Sequence, residues 1–258
     1  MQFYKYQGTG NDFVVIDQRQ HQYLQLSDTD KVAFLCDRRF GVGADGVILL
    51  QHKAGYDFEM IYFNADGKPG SMCGNGGRCI VAFAKYLGIF DTSCRFLAYD
   101  GPHDARIVGA DWVELKMQDV HQIEAGEGHY ILDTGSPHFV TFVEDVDDIN
   151  VAEQGAQIRY SQRFREKGIN VNFVESVENG LIVATYERGV EDETLSCGTG
   201  VTAAALAHAR QHAPDSNRIG IQAKGGQLEV KYERVENGFE NIWLCGPATQ
   251  VFVGDMEI

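Results

Sequence analysis

Residues 72–79 read MCGNGGRC, in which Cys73 stands directly before a glycine-rich turn. Apolar side chains recur with helical period over the residues that follow, 79–87, so the turn predicts a helix N-terminus. The first turn of a helix presents backbone N–H groups and about half a unit of positive charge. That field favours a cysteine thiolate, and the glycines let a carboxylate or phosphate approach the N–H groups closely.

A second stretch repeats this arrangement in the other half of the chain. Residues 196–209 read SCGTGVTAAALAHA, so Cys197 also precedes a glycine-rich turn and an apolar helical pattern. Cys73 comes nine residues after Asn64, at the end of a predicted strand, and Cys197 comes ten residues after Glu187, at the end of another. We interpret the chain as two similar strand-rich halves, each built around one helix led by Cys-Gly-x-Gly.

The order of the other predicted elements supports an internal repeat. In each half, a helical pattern and two strand patterns precede the cysteine. The predicted helices cover 27–39, with Ser27 as the N-cap, and 160–167; the predicted strands cover 47–50, 57–63, 112–117, 138–143, 170–175, 181–186, 227–232, 241–244 and 250–253. No linker or low-complexity tract separates the two halves.

Composition narrows the class of protein. The 258 residues are 44% apolar, and 22 basic against 37 acidic residues give a net charge of −15, which argues against a nucleic-acid partner. No apolar run approaches the ~20 residues of a membrane helix, and the N-terminal residues do not resemble a signal peptide. Six cysteines are too sparse for a disulfide scaffold, so we expect a cytoplasmic protein in which Cys36, Cys94 and Cys245 are buried apolar side chains.

Two cysteines in matching positions suggest a specific reaction. If the halves pack with pseudo-twofold symmetry, a thiolate and a thiol face each other across one cleft. One can remove the α-proton of an amino acid while the other protonates the carbanion from the opposite face. The N–H groups of both helices would stabilise the charge that develops on the carboxylate. Such a reaction needs no pyridoxal cofactor and no metal.

Seven segments resemble those of the diaminopimelate epimerase family, in the family's order and over essentially the full chain. These segments are GTGNDF at 8–13, FNADG at 63–67, MCGNGGRC at 72–79, GSPH at 135–138, GINV at 168–171, YERG at 186–189 and CGTG at 197–200. The resemblance implies a cofactor-independent epimerase that interconverts LL- and meso-2,6-diaminopimelate in lysine and peptidoglycan precursor biosynthesis. It also implies a homodimer.

The implied fold is α+β, with two pseudo-symmetric domains, each a strand-rich barrel-like sheet around a central helix. We expect an N-terminal half over residues 1–118, joined by a returning segment at 247–258, and a C-terminal half over residues 119–246. The expected partner is a small-molecule amino-acid substrate.

The resemblance also assigns roles to individual residues. Cys73 and Cys197 match the acid/base pair, and His138 and Glu187 match the polar partners of these cysteines. The residues that match substrate-binding positions are Asn11, Asn64, Gly74, Asn75, Asn170, Glu187, Arg188, Gly198 and Thr199. Amides and a guanidinium suit a distal amino-acid head, because arginine can bind a carboxylate with two hydrogen bonds.

Two positions depart from the common pattern of the family. Ser136 stands where many members have asparagine, and Gly46 follows Asp45 where many members have glutamine. Both departures affect the contacts to the distal head of the substrate and leave the proton-transfer pair intact.

Other functions share parts of this pattern. A proline or hydroxyproline epimerase also uses two cysteines, but Asn75 and the pair Glu187-Arg188 favour a substrate with a polar distal head. A thiol redox protein would be expected to carry Cys-x-x-Cys, which is absent. A carboxylate-binding module without activity would not need the second cysteine, and no Cys/His pair has the spacing of a zinc site.

Overall fold

The structure is a computed structural model that describes residues 1–70, 72–109, 111–212 and 216–257. The chain divides into two compact units: unit 1 comprises Met1–Leu115 and Gly246–Ile258, and unit 2 comprises Lys116–Cys245. The segment predicted to return to the first half, 247–258, is described up to residue 257, and Ile258 lies outside the described residues.

Helices and strands follow one another along the described residues in this order: β1 (Gln2–Gly8), β2 (Asn11–Asp17), α1 (Thr29–Cys36), β3 (Gly46–Gln51), β4 (Phe58–Asn64), α2 (Gly74–Tyr86), β5 (Ser93–Ala98), β6 (Gly101–Val108), β7 (Trp112–Lys116), β8 (Ile123–Gly126), β9 (His129–Asp133), β10 (Pro137–Val143), α3 (Val151–Arg159), β11 (Asn170–Val177), β12 (Gly180–Glu187), β13 (Asp192–Thr194), α4 (Gly198–His212), β14 (Arg218–Ala223), β15 (Gly226–Val235), β16 (Gly238–Pro247) and β17 (Thr249–Asp255).

The sheet of unit 1 has the strand order β17-β1-β2-β3-β4-β5-β6-β7. β2 and β3 pair in parallel, as do β4 and β5, whereas all the other neighbours are antiparallel. Parallel neighbours need a crossover connection. α1 supplies the crossover from β2 to β3, and α2 supplies the one from β4 to β5.

The sheet of unit 2 repeats that pattern. Its order is β8-β9-β10-β11-β12-β14-β15-β16, with parallel pairs at β10/β11 and β12/β14 and antiparallel pairs elsewhere; the short β13 pairs with the end of β12. α3 connects β10 to β11, and α4 precedes β14. The predicted repeat is therefore present strand by strand.

Each sheet curls around one helix. α2 packs on β17, β1, β2, β3 and β6, strands that lie toward both ends of the sheet of unit 1, and α4 packs on β9, β10, β11, β12, β14 and β15 of unit 2. Both helices are buried around most of their circumference, as expected of a helix in the centre of a core. The predicted α+β fold, two strand-rich halves around central helices, is confirmed.

The strands beside the central helices are covered on both faces. Val14 and Val47 pack with Val32 and Leu35 of α1, whereas the alternate side chain of β3, Ile48, lies toward Gly76 of α2. In unit 2, Val171 and Phe173 face the cluster that includes α3. Because side chains alternate along a strand, the residue between them, Asn172, is directed to the other face, toward α4.

Two predicted helices differ from the structure. α1 begins at Thr29 with Asp28 as its N-cap, so the prediction of Ser27 was wrong. It stops at Cys36 because the carboxylate of Asp37 accepts hydrogen bonds from the N–H groups of Arg39 and Phe40, which turns the chain.

The second wrong prediction is the helix over 160–167. That segment forms turns, and the helix of this region is α3, nine residues long from Val151. Asn150 caps α3 by accepting a hydrogen bond from the N–H of Glu153.

Candidate functional site

Cys73 is the N-cap of α2, in an extended conformation with φ −101° and ψ 133°. The first hydrogen bond of the helix runs from the N–H of Gly77 to the carbonyl of Cys73, 2.7 Å long. Among the described residues no side chain caps α2, so its first turn presents backbone N–H groups beside a thiol that is half-buried.

Asn11 and Asn75 lie next to this thiol. Oδ1 of Asn11 is 3.6 Å from Sγ of Cys73 and accepts a hydrogen bond from Nδ2 of Asn75 at 3.3 Å. Nδ2 of Asn11 donates to the carboxylate of Asp45 at 2.6 Å, which fixes the orientation of the amide. The turn that precedes Asn11 is stabilised by the buried Arg78, whose guanidinium donates a hydrogen bond to Oγ1 of Thr9 at 3.1 Å.

An ionic cluster supports Asn11 and Asp45. The carboxylate of Asp12 lies 2.6 Å from Lys5 and 2.8 Å from Arg38, and Arg38 also reaches Asp45 at 2.7 Å. Burial raises the pKa of Asp12, but the hydrogen bonds and charges of Arg38 and Lys5 outweigh it and lower the pKa to about 2. Asp12 therefore stays ionised at neutral pH.

Gly46 lies close to β4, with no room for a side chain. A Cβ atom on Gly46 would lie 2.5 Å from the carbonyl oxygen of Phe63 and 2.6 Å from Cε2 of Tyr62. The backbone of β4 and the ring of Tyr62 together explain why position 46 is glycine. Asn64 ends β4 with its side chain exposed, and no described residue hydrogen-bonds to that side chain.

Cys197 of unit 2 directly precedes α4. The N–H of Val201 donates to the carbonyl of Cys197 at 2.9 Å, which reproduces the first bond of α2. Cys197 is more buried than Cys73, with 7% of its surface exposed. Its Sγ lies 3.4 Å from Oγ1 of Thr199.

A buried polar network continues from Thr199. Oγ1 of Thr199 is 2.9 Å from Nε2 of His138, and Nδ1 of His138 is 3.0 Å from Nδ2 of Asn172. Oδ1 of Asn172 accepts from Oγ1 of Thr185 at 3.0 Å. The imidazole is fully buried, and this burial, together with the positive charge of Arg188, lowers the pKa of His138 to about 3.

Ser136, Asn170 and Arg188 form a separate polar cluster in unit 2. Oγ of Ser136 accepts from Nδ2 of Asn170 at 2.9 Å and from Nη2 of Arg188 at 3.3 Å, while Oδ1 of Asn170 accepts from the backbone N–H of Arg188 at 2.8 Å. Gly168, at φ +74°, leaves room for the guanidinium arm, because a Cβ atom there would lie 2.5 Å from Cδ of Arg188. Serine at 136 therefore joins the asparagine to the arginine.

Within each unit, the structure brings most of the predicted residues together. In unit 1, Asn11, Cys73, Gly74 and Asn75 form one group. In unit 2, His138, Cys197, Gly198 and Thr199 form one group, and Asn170 and Arg188 form another. Glu187 is half-buried at the end of β12, directly before Arg188.

Sequence reasoning missed two residues of the network behind Cys197, Asn172 and Thr185. Both are buried, and they are directly opposite each other in the antiparallel pair β11/β12. The available signal was a polar side chain flanked by apolar residues on each of two strands: Asn172 between Val171 and Phe173, and Thr185 between Ala184 and Tyr186.

The remaining cysteines are core residues, as predicted. Burial raises the pKa of Cys36, Cys79 and Cys94 to about 12, and Cys245 is fully buried. The surroundings of Cys36, Cys79 and Cys94 therefore keep these three thiols protonated at neutral pH. Cys73 and Cys197, by contrast, lie directly before the first residues of α2 and α4.

Other features of the described residues do not point to a second centre of this kind. A cavity of about 230 Å³ in unit 2 is lined by side chains that include His121, Arg210, Arg234 and Phe239, and it contains none of the predicted site residues. Within the described part of the chain, no three His, Cys, Asp or Glu side chains are grouped to hold a metal ion. No described helix is long and apolar enough to cross a membrane.

Comparison with known proteins identifies relatives over the whole chain. The sequence profile of the diaminopimelate epimerase family matches residues 3–121 and 130–251. A diaminopimelate epimerase from Flavobacterium psychrophilum is 48% identical over 253 residues, covering 98% of each chain. One from Chlorobaculum tepidum is 41% identical over 97% of this chain and 99% of its own.

Solved structures share the fold at low identity. A phenazine biosynthesis protein of the PhzF family from Bacillus anthracis superimposes with a TM-score of 0.77 at 12% identity, covering 100% of this chain and 99% of its own. A probable proline racemase from Agrobacterium radiobacter gives 0.72 at 15% identity over 100% and 93%. At these identities the similarity shows the fold alone.

Proposed function

The chain belongs to the diaminopimelate epimerase family, and we propose that it interconverts LL- and meso-2,6-diaminopimelate by proton transfer between two cysteines. The observation that carries the proposal is that each unit places a cysteine directly before a glycine-rich helix N-terminus. The relatives at 48% and 41% identity, both named diaminopimelate epimerase, support the same substrate. The reaction belongs to lysine and peptidoglycan precursor biosynthesis.

The proton transfer balances without an external reagent. A thiolate takes the α-proton, so the C–H bond breaks, an S–H bond forms, and the electron pair delocalises onto the α-carboxylate. The thiol of the other cysteine then gives its proton to the opposite face of the carbon and becomes a thiolate. The net result is an inverted α-carbon and an exchanged protonation state of Cys73 and Cys197.

The helix N-termini stabilise the intermediate. Negative charge grows on the α-carboxylate as the proton leaves, and backbone N–H groups of Gly74, Asn75, Gly198 and Thr199 are suited to bind it. Each such donor contributes about 3–4 kcal/mol when it is well placed. The thiols and the backbone therefore perform the chemistry with no organic cofactor or metal in the scheme.

The distal head of the substrate is assigned to the polar clusters of the two units. Arg188 and Asn170 bind the distal carboxylate, and Asn11 and Asn64 contribute amide contacts from unit 1. His138 and Glu187 act as polar partners of the cysteines. The two units correspond to the two epimerase halves, with the segment 247–258 returning to the first.

We also propose that the enzyme is a cytoplasmic homodimer. None of the six cysteines is paired in a disulfide in the structure, an arrangement that suits a reducing compartment. Among the described residues of unit 1, β17 pairs with β1 only, and its residues Val251, Phe252 and Val253 are 56%, 45% and 41% exposed. An exposed apolar edge strand suits pairing with a second copy; a monomer in analytical ultracentrifugation at micromolar concentration would contradict this part.

Solvent exchange tests the reaction itself. The protein is incubated with LL-diaminopimelate in deuterated water, and mass spectrometry and NMR follow α-deuterium and the meso isomer. We expect the product to carry solvent deuterium at the inverted carbon, because its proton comes from a thiol that equilibrates with solvent. Absence of deuterium and of the meso isomer would refute the proposed activity, and turnover of proline in its place would assign another substrate.

A further inference from the structure

The side chains beneath the two helix N-termini differ in chemistry. Gly76 and Gly200 each stand three residues after their cysteine. A Cβ atom on Gly76 would lie 3.2 Å from Cδ1 of Ile48, whereas one on Gly200 would lie 2.4 Å from Oδ1 of Asn172 and 3.2 Å from Oγ1 of Thr185. α2 thus begins over hydrocarbon, and α4 begins over buried polar atoms, which must be hydrogen-bonded to be tolerated.

The hydrogen bonds of Asn172 fix the orientation of its amide. The carbonyl of Phe139 can only accept, so the atom 3.1 Å from it is the donor Nδ2. Oγ1 of Thr185 then donates to Oδ1 on the other side. Because Nδ2 is also the atom that faces Nδ1 of His138 at 3.0 Å, Nδ1 is an acceptor.

An acceptor at Nδ1 determines where the imidazole proton lies. A neutral imidazole carries one N–H, so its proton must be on Nε2. The fully buried ring, with its pKa lowered to about 3 by burial and by the charge of Arg188, is neutral at physiological pH. Nε2–H therefore donates to Oγ1 of Thr199.

The donation to Oγ1 directs the hydroxyl proton of Thr199. Its backbone is held by Thr134, whose hydroxyl donates to the carbonyl of Thr199 at 2.8 Å. With one lone pair of Oγ1 occupied by His138, the hydroxyl hydrogen of Thr199 is left to donate, and Sγ of Cys197, 3.4 Å away, lies within its reach. A hydroxyl that donates to sulfur stabilises the thiolate over the thiol.

We propose that Asn172 is a positioning residue, which holds His138 in the Nε2–H tautomer so that Thr199 donates its hydroxyl proton to the thiolate of Cys197. The inference rests on the proposed function, since the role it assigns is in the two-cysteine reaction. Asn172 acts through His138 and Thr199 and does not itself contact the reacting atoms.

At Cys73 the neighbouring side chain presents a hydrogen-bond acceptor to the sulfur, whereas at Cys197 it presents a donor. Nδ2 of Asn11 is engaged by Asp45, so the amide presents Oδ1, an acceptor, to Sγ of Cys73. An acceptor facing sulfur favours the protonated thiol. The two half-sites therefore bias their cysteines toward different protonation states, which a reaction with one base and one acid requires.

The tautomer of His138 can be observed without substrate. Full-length protein labelled with ¹⁵N-histidine is examined by two-bond ¹H–¹⁵N correlation at neutral pH, and the His138 signals are assigned from their loss in His138→Gln. We expect a neutral ring with the proton on Nε2. The Asn172→Asp variant presents a carboxylate to Nδ1, so we expect the proton to move to Nδ1.

Kinetics then test the path from Asn172 to sulfur. We expect Asn172→Asp and Thr199→Val each to lower kcat by about 10²-fold, the usual scale for acid–base groups, with KM changed much less. Since both residues act on the same thiolate, the kcat of the double variant should be little lower than that of either single variant. Multiplied losses near 10⁴-fold would show that the two residues act independently and would overturn the proposal.

Controls separate positioning from folding. Thr141 lies on the same strand as His138, and its hydroxyl donates to the carbonyl of Gly128 at 3.1 Å, so Thr141→Val should keep the kcat and the tautomer of the wild type. If Asn172→Asp does not fold, Thr185→Val is used instead, because it removes the hydroxyl that orients Oδ1. We expect this variant to lower kcat by a smaller factor, and an unchanged kcat would overturn the proposal.

Failure of the inference differs visibly from failure of the proposed function. An inactive wild type with no deuterium exchange refutes the function. An active wild type whose His138 carries its proton on Nδ1 overturns the inference alone.

Discussion

Units 1 and 2 share one backbone design but surround their cysteines with different chemistry. β2, β3 and β4 of unit 1 occupy the same places in the sheet as β10, β11 and β12 of unit 2. Beneath α2 these strands contribute Phe13 and Ile48, whereas beneath α4 they contribute a histidine and an asparagine. The repeated fold positions two equivalent thiols, and the side chains behind them make the thiols unequal.

The two units also differ in how the charge of an arginine is compensated. Next to Asn11, unit 1 places an ionic cluster in which Arg38 is neutralised by Asp12 and Asp45. In unit 2, the guanidinium of Arg188 hydrogen-bonds only to uncharged oxygens among the described residues, those of Ser136 and Lys167. Unit 2 therefore retains, at Arg188, a positive charge that no carboxylate of the described residues pairs with.

The largest effect is expected from the two thiols themselves. Cys73→Ala and Cys197→Ala should each lower kcat at least ~10²-fold, because each removes one acid–base group. Cys36→Ala is the matched control, since burial raises the pKa of that thiol to about 12 and its loss should affect stability only. Turnover near the wild-type rate in either of the first two variants would break the comparison, because one cysteine would then suffice.

Lowering the pH should distinguish the two units. The pKa of His138 is about 3 in the folded protein against an ordinary 6.5. Its contribution to the free energy of unfolding is therefore complete above pH 6.5, and it is lost as the pH falls towards 3 because only the unfolded chain binds the proton. The loss is up to about 1.4 kcal/mol in the free energy of unfolding per pH unit. Asp12, with a pKa of about 2 against 3.8, behaves in the same direction but only below pH 3.8.

Chemical denaturation between about pH 6 and pH 4 therefore tests the contribution of His138 against that of Asp12. We expect the free energy of unfolding of the wild type to fall more steeply over this range than that of His138→Gln, while Asp12→Asn keeps the slope of the wild type. Parallel curves for wild type and His138→Gln would mean that the histidine is not neutral when folded.

Substrate selectivity tests the uncompensated charge of Arg188. Lysine keeps the chain length and the distal amine of diaminopimelate and lacks its distal carboxylate. Arg188→Ala should lower kcat/KM for diaminopimelate by about 10- to 10²-fold, the loss of one charged hydrogen bond, and should change the poor turnover of lysine little. If the wild type racemises lysine as well as diaminopimelate, Arg188 does not bind a carboxylate.

The smallest effect concerns the glycines in the first turns of the two helices. Gly200→Ala places a Cβ atom 2.4 Å from Oδ1 of Asn172, whereas Gly76→Ala places one 3.2 Å from a flexible isoleucine methyl. We expect Gly200→Ala to lower the free energy of unfolding by about 1–3 kcal/mol. Gly76→Ala should change it by about 1 kcal/mol or less, because alanine's higher helix propensity offsets the contact. Equal losses would show that the two helix N-termini are packed alike.

Local signals were sufficient for the central helices and insufficient for the peripheral ones. Cys-Gly-x-Gly followed by an apolar pattern predicted the starts of α2 and α4 correctly. α3 was missed because Gly155 interrupts a polar stretch that looks like a loop; in the structure this glycine packs against Tyr186, where a Cβ atom would lie 2.4 Å away. Asn150 followed by Glu153 is a capping pattern that could have located the helix.

By itself, the sequence determined the duplicated order of elements, the two cysteines that lead the central helices, and the family. These features depend on residues that are close together in the chain. The tertiary structure decided which polar atoms lie behind each cysteine, because His138, Asn172 and Thr199 meet only through the register of β10 and β11 and the position of α4. A hydrogen bond forms only when donor and acceptor come within about 3 Å, and for residues 34 and 61 positions apart in the chain, folding alone sets that distance.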